Sequence, residues 1–194
     1  DALGNGVAGE SVTLALDGSG VLTGGGATTT DGSGFASFAA LSVDLAGAKQ
    51  LIASSGALTP DTSATFTVSA AAAAALAFTV EPSNVVAGAA IAPAVQARVL
   101  DGFGNPVAGE SVALSLIGSG TLSGGSAVTT DVAGVASFAA LSVDLAGVKQ
   151  LIASSGALTP DTSATFTVSA AAAAALAFTV EPSNVVAGAA IAPA

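Results

Sequence analysis

The chain contains no cysteine, histidine, methionine, tryptophan or tyrosine. Without cysteine there is no disulfide framework and no thiolate metal site. Without histidine the commonest general base and metal ligand is missing, and a Ser-His-Asp arrangement cannot be assembled. Positive charge is scarce as well: Lys49, Arg98 and Lys149 face 13 acidic side chains, for a net charge of −10. Nucleic-acid binding neutralises phosphates with Lys and Arg, and anionic membrane surfaces attract the same residues. The composition therefore argues against both. Long hydrophobic runs are absent too. Ala70–Phe78 is the longest apolar run and is mostly alanine, well short of the ~18 residues a membrane-spanning helix requires. No membrane insertion is expected.

What is present is a repeat. Asp1-Ala-Leu-Gly-Asn-Gly-Val-Ala-Gly-Glu-Ser-Val12 returns 100 residues later as Asp101-Gly-Phe-Gly-Asn-Pro-Val-Ala-Gly-Glu-Ser-Val112. At that offset 80 of the 94 overlapping positions are identical, and from Ala36 to Ala94 only Ala48/Val148 differs. The chain is an array of one unit, and a unit of this length is an ordinary single-domain size.

Alternation and turn chemistry predict strands throughout the unit. Val95–Leu100 places Val95, Ala97 and Val99 on one face, and Ser111–Leu116 places Val112, Leu114 and Leu116 together. Between them Asp101-Gly-Phe-Gly-Asn-Pro106 reads as a turn. Further strands are expected at 76–81, 121–123, 127–130, 135–143, 148–154 and 163–169, the last with Ala164, Phe166 and Val168 inward. Seven or eight short strands in a hundred residues make an all-β antiparallel sandwich. The alanines between units are too few for an independent helix and read as a compact linker or a strand extension. The expected domains are a partial repeat at 1–70, a linker at 71–75, a complete repeat at 76–170, a linker at 171–175, and the first strand of a further repeat at 176–194.

One block carries a resemblance: Asn105-Pro-Val-Ala-Gly-Glu-Ser-Val, then Gly120-Thr-Leu-Ser-Gly-Gly, then the hairpin of Thr129, Thr130, Asp131, Gly134 and Ala136, and a late strand ending at Ser155-Gly156. It resembles the bacterial Ig-like domains of the invasin/intimin type. The first copy keeps Thr29, Thr30, Asp31, Gly34 and Ala36 but has Gly6 in place of the proline. The resemblance implies tandem Ig-like sandwiches in an extracellular or cell-surface stalk, adhesin or fibre. The chain departs from that family in its low charge. Leu51 and Ile52, like Leu151 and Ile152, are adjacent in one strand and must point to opposite faces. One of each pair is expected outside its own core, where apolar surface favours lateral association.

The ends of the chain raise a second expectation. Residues 1–70 lack the first strands of the unit, while 176–194 supply the first strand alone, with Leu176, Phe178 and Val180 apolar. Open sheet edges are costly. Either the chain is a window of a longer array, or one chain's tail completes the next chain's head. Head and tail together still lack a counterpart of Val95–Leu100. In both cases the expected partners are copies of the same unit, end to end and side by side.

Catalytic chemistry is not expected. Lys49 and Lys149 admit a Ser–Lys dyad in principle, but a sole lysine on an alternating strand reads as a solvated or edge charge. No cofactor is implied. Asp101 and Asp131 are weak calcium candidates, since calcium draws its oxygens from such turns; the simpler role is capping of their own turns. The functional expectation is a structural segment of an extracellular filament, with the passive stalk of an adhesin as the alternative.

Overall fold

A computed structural model describes residues 1–191. The first unit contains β1 (Ser11–Asp17), β2 (Leu22–Thr23), β3 (Thr28–Thr29), β4 (Ser42–Val43), β5 (Gly47–Ser54), β6 (Asp61–Thr62) and β7 (Phe66–Val68). The second contains β8 (Ala73–Val80), β9 (Val85–Val86), β10 (Val95–Asp101), β11 (Ser111–Ile117), β12 (Leu122–Ser123) and β13 (Val128–Thr129). It continues with β14 (Val135–Phe138), β15 (Ser142–Val143), β16 (Gly147–Ser154), β17 (Asp161–Thr162) and β18 (Phe166–Ser169). The described residues hold no helix, and hence none long and apolar enough to cross a membrane.

The second unit is a closed sandwich. One sheet runs β14-β10-β8; the other runs β13-β11-β16-β18-β9, with β17 on β16. Their inner faces meet in one apolar cluster. Leu76, Val95, Ala97, Val99, Ala136 and Phe138 come from the first sheet, and Val112, Leu114, Leu151, Ala153, Phe166 and Val168 from the second. The period-2 pattern accounts for this: β10 alternates buried and half-buried along its whole length. All pairings are antiparallel except one. Val85 and Val86 lie parallel to Val168 and Ser169, so the sandwich is not purely antiparallel.

Several expected boundaries change. The single strand expected at 135–143 divides into β14 and β15, because the chain turns at Ala139 and Ala140. This lets β14 pair with β10 and β15 with β12. Ala164 is exposed rather than inward, and Ser163 is buried in its place. The Ser163 hydroxyl accepts from Leu151 N (2.8 Å) and donates to Ala164 O (2.9 Å). That local bonding breaks the alternation, which resumes at Phe166. The 71–75 segment is largely absorbed into β8, whose first residues are Ala73–Ala75.

The first unit has β1 and β5 at the centre of its sheet, with β3, β6 and β7 alongside. It lacks counterparts of β8, β9 and β10, and residues 35–38 form no strand. In the second unit the equivalent β14 is paired by Val95–Arg98 of β10. Residues 176–191 also form no strand, although residues 76–80 of the same sequence lie in β8. Residues 192–194, part of the strand expected at 176–194, lie outside the described residues.

Candidate repeat-to-repeat interface

The turn after β10 is built around one carboxylate. Asp101 Oδ1 accepts from Phe103 N (2.9 Å) and Asn105 N (2.8 Å). Asp101 Oδ2 accepts from Asn105 Nδ2 (2.9 Å) and from Ala71 N (2.8 Å), which lies in the chain leaving the first unit. Gly104 makes the loop possible: its φ of 86° is left-handed, a region that side chains with a Cβ rarely adopt. Burial opposes ionisation of Asp101. The bonds from the Asn105 side chain and from the backbone of Ala71, Asn105 and Phe103 outweigh it, holding the carboxyl at about 2 against an ordinary 3.8.

Asn105 then reaches into the first unit. Its Oδ1 accepts from Ala46 N (2.9 Å), and its Nδ2 donates to Asp44 O (2.9 Å) as well as to Asp101. Phe103 lines a cleft with Val21, Thr23, Ser42, Val43 and Asp44 of the first unit. The footprint shows in burial. Asp44, Leu45 and Ala46 are half-buried, whereas the same residues of the second unit, Asp144, Leu145 and Ala146, are exposed. The receiving turn is itself braced: Asp44 Oδ1 accepts from Val21 N (2.7 Å), and Lys49 Nζ donates to Ala46 O (3.3 Å) and Ser19 Oγ (3.0 Å).

A second surface lies on the first unit. Leu22, Leu41, Ser42, Val43, Leu51, Phe66 and Val68 line an open cleft of about 410 Å³. In the second unit the chain at 85–91 covers the equivalent place. Ala87 N donates to Ser169 O, Gly88 N to Val143 O and Ile91 N to Leu141 O, each at 2.8 Å. Residues 185–191 carry the same sequence as 85–91, and Val185, Val186 and Ile191 are exposed, as are Leu176, Phe178 and Val180.

Of the other residues singled out from the sequence, Leu51 lines this cleft, and Ile52, Leu151, Ile152 and Asp131 line neither surface. Leu151 is fully buried; Ile152, on the opposite face of β16, is half-buried between Ser115 and Thr162 on the neighbouring strands. Leu51 and Ile52 are both half-buried. Asp131 Oδ1 accepts from Ala133 N and Val135 N at 2.9 Å, a turn cap. Both oxygens of Asp101 and Oδ1 of Asp131 accept from N–H donors, and no group of three or more metal-ligating side chains occurs among the described residues.

The lysines differ from expectation. Lys49 and Lys149 are each only 2% exposed, on the inner face of their strands rather than at a solvated edge. Lys149 Nζ donates to Ser119 Oγ (3.1 Å) and Ala146 O (3.5 Å). This is the bonding of a cation that holds a turn, as in the first unit. The roles of Asp101 with Asn105, and of Lys49, were missed in the sequence. A signal existed: Asp, Gly and Asn hold their places in Asp1-Ala-Leu-Gly-Asn5 and Asp101-Gly-Phe-Gly-Asn105 while the intervening residues change.

A two-layer sandwich that grips the preceding unit through an Asp–Asn turn is a module of a tandem β-sandwich array. Residues 75–169 match the model of the bacterial Ig-like domain (group 1). That stretch is a bacterial Ig-like domain, and the first unit repeats its later strands. No curated protein matches the chain. Among solved structures it is similar to invasin, a bacterial integrin-binding protein, with 19% identity and a TM-score of 0.41 over 88% of this chain and 34% of that one. It is also similar to InvD of Yersinia pseudotuberculosis, with 18% identity and a TM-score of 0.47 over 94% of this chain and 54% of that one. The chain thus spans about a third and about half of these two structures.

Proposed function

We propose that this chain is a structural segment of an extracellular or cell-surface fibre made of tandem Ig-like repeats, without catalysis. The observation that carries the reading is the connection between units. The alanine segment is not a tether but the start of β8, and Asn105 binds the preceding unit directly. A connection of this kind transmits force and sets spacing. A flexible Gly/Ser-type linker behaves as a coil and fixes no spacing. Terminal strands complete a neighbouring repeat. The cleft lined by Leu41, Val43 and Phe66 fits a segment of the 85–91 type, because the second unit already holds that segment in the same place.

The family match favours a second reading of the same architecture, the passive stalk of a surface adhesin. The two readings separate in cross-section, where a stalk is one chain wide and a filament contains several. Electron microscopy of arrays of two, four and eight repeats tests the common part. Straight rods whose length grows in proportion to repeat number are expected. Protease treatment of intact producing cells should remove the repeats. Coiled, beaded arrays or repeats retained inside the cell would sink the proposal.

A further inference from the structure

Resting on the fibre reading, we infer that the Asp-x-x-x-Asn turn at the start of each repeat is a coupling clamp. We further infer that the turn at Asp144–Ala146 is a docking surface for the clamp of a further copy of the repeat. The clamp gathers three backbone groups that belong to the preceding unit and its exit: Asp44 O, Ala46 N and Ala71 N. Two side chains, Asp101 and Asn105, satisfy all three. Both are buried at the joint, where an unpaired polar group would be costly.

Both halves recur without a partner in the described residues. Residues 142–147 repeat 42–47 in sequence, and Ala171 repeats Ala71. The second unit therefore offers Asp144 O, Ala146 N and Ala171 N in the same order along the chain. Asp144 Oδ1 braces this turn by accepting from Thr121 N (2.6 Å), and Lys149 Nζ braces it through Ala146 O. At the other end, Asp1 accepts from Leu3 N, Asn5 N and Asn5 Nδ2, each at 2.9 Å. The free clamp is thus already folded into its docked shape. Docking orders little that is not ordered beforehand, the condition under which a small polar contact is effective.

Because the chain has no cysteine, two introduced spin labels report the joint cleanly. With S33C and T159C, one on each unit, the distance distribution of the otherwise unchanged chain should be narrow. N105L, which fills the site but cannot hydrogen-bond, should widen it at least twofold. A71P removes one N–H from the clamp without touching its loop, and should widen it by less. N5A, whose loop meets no preceding unit, should leave it unchanged. Amide spectra confirm that each variant remains folded, and A71P keeps the test decisive if N105L does not fold. In a chain extended by one more complete repeat, the amide signals of Leu145, Ala146 and Ala171 should shift and gain exchange protection. Narrow distributions in both N105L and A71P, or unshifted Ala146 and Ala171 signals, overturn the clamp alone. A broad distribution in the unsubstituted joint overturns the rigid-fibre reading with it.

Discussion

Residues 135–138 form a strand, and residues 35–38 do not, although the two stretches differ only by Phe35 for Val135. The contrast extends through the core. Leu141 and Phe166 are exposed to 0% and 2%, while Leu41 and Phe66 are each exposed to 37%. Yet β1 and β5 pair in the same register as β11 and β16: Leu14 lies opposite Ala53 as Leu114 lies opposite Ala153. One layer of this sandwich therefore forms from its own strands, and the opposite layer forms only when its first strands are present. Local pattern fixes which face of a strand is apolar; a partner decides whether that face is buried.

The most severe test supplies the missing partner. Placing residues 71–100 ahead of Asp1 should turn residues 35–38 into strand and close the cleft at Leu41, Val43 and Phe66. It should stabilise the first unit by on the order of 5 kcal/mol, given roughly 1.5–3 kcal/mol per fully buried large apolar side chain. Hydrogen exchange of the Phe35–Phe38 amides and urea unfolding measure this; amides that stay unprotected would break the comparison. A smaller effect comes from removing side chains. Leu151→Ala empties a site with no exposure and should cost about 3 kcal/mol. Leu51→Ala, at a half-buried site beside open cleft, should cost about 1 kcal/mol, because solvent already reaches it. Equal losses in urea titrations would mean that the two cores are not different in kind.

Much of this architecture is legible in the sequence, for identifiable reasons. Val95, Ala97 and Val99 alternate with polar or exposed positions, so β10 can be read residue by residue. Thr130, Asp131 and Gly134 mark a hairpin because each has one job there. Thr130 Oγ1 accepts from Glu110 N and donates to Val107 O, Asp131 caps the turn, and Gly134 takes a φ of 73°. What was illegible depends on contacts distant in sequence. Ser163 leaves the alternation because of a bond to Leu151. Lys149 is buried because Ser119 and Ala146 meet it there. Asn105 looks like a turn residue until Asp44 and Ala46 stand opposite it. A lone aspartate in a glycine-rich turn suggests capping or calcium, and only the preceding unit reveals the third possibility.

The smallest predicted effect concerns the joint alone and follows from the charge on Asp101. Its carboxyl is depressed to about 2 in the folded chain from an ordinary 3.8. A depressed acid contributes stability above its unfolded value, and loses it as pH falls through the folded one. The clamp should thus be intact at pH 5, weaken between about 4 and 2, and open near 2 as protonation takes an acceptor from Ala71 N and Asn105 Nδ2. Asp144 is depressed as well, chiefly by the Thr121 N–H, with burial opposing and Lys149 adding to it. Acid therefore loosens more than one turn. Asp101→Asn separates the two: it keeps one oxygen acceptor at every pH, so its Ala71 amide signal should lose its titration while that of Thr121 still moves. If the Ala46 and Ala71 signals of the unsubstituted chain stay fixed down to pH 1.5, the carboxylate is not what joins the two units.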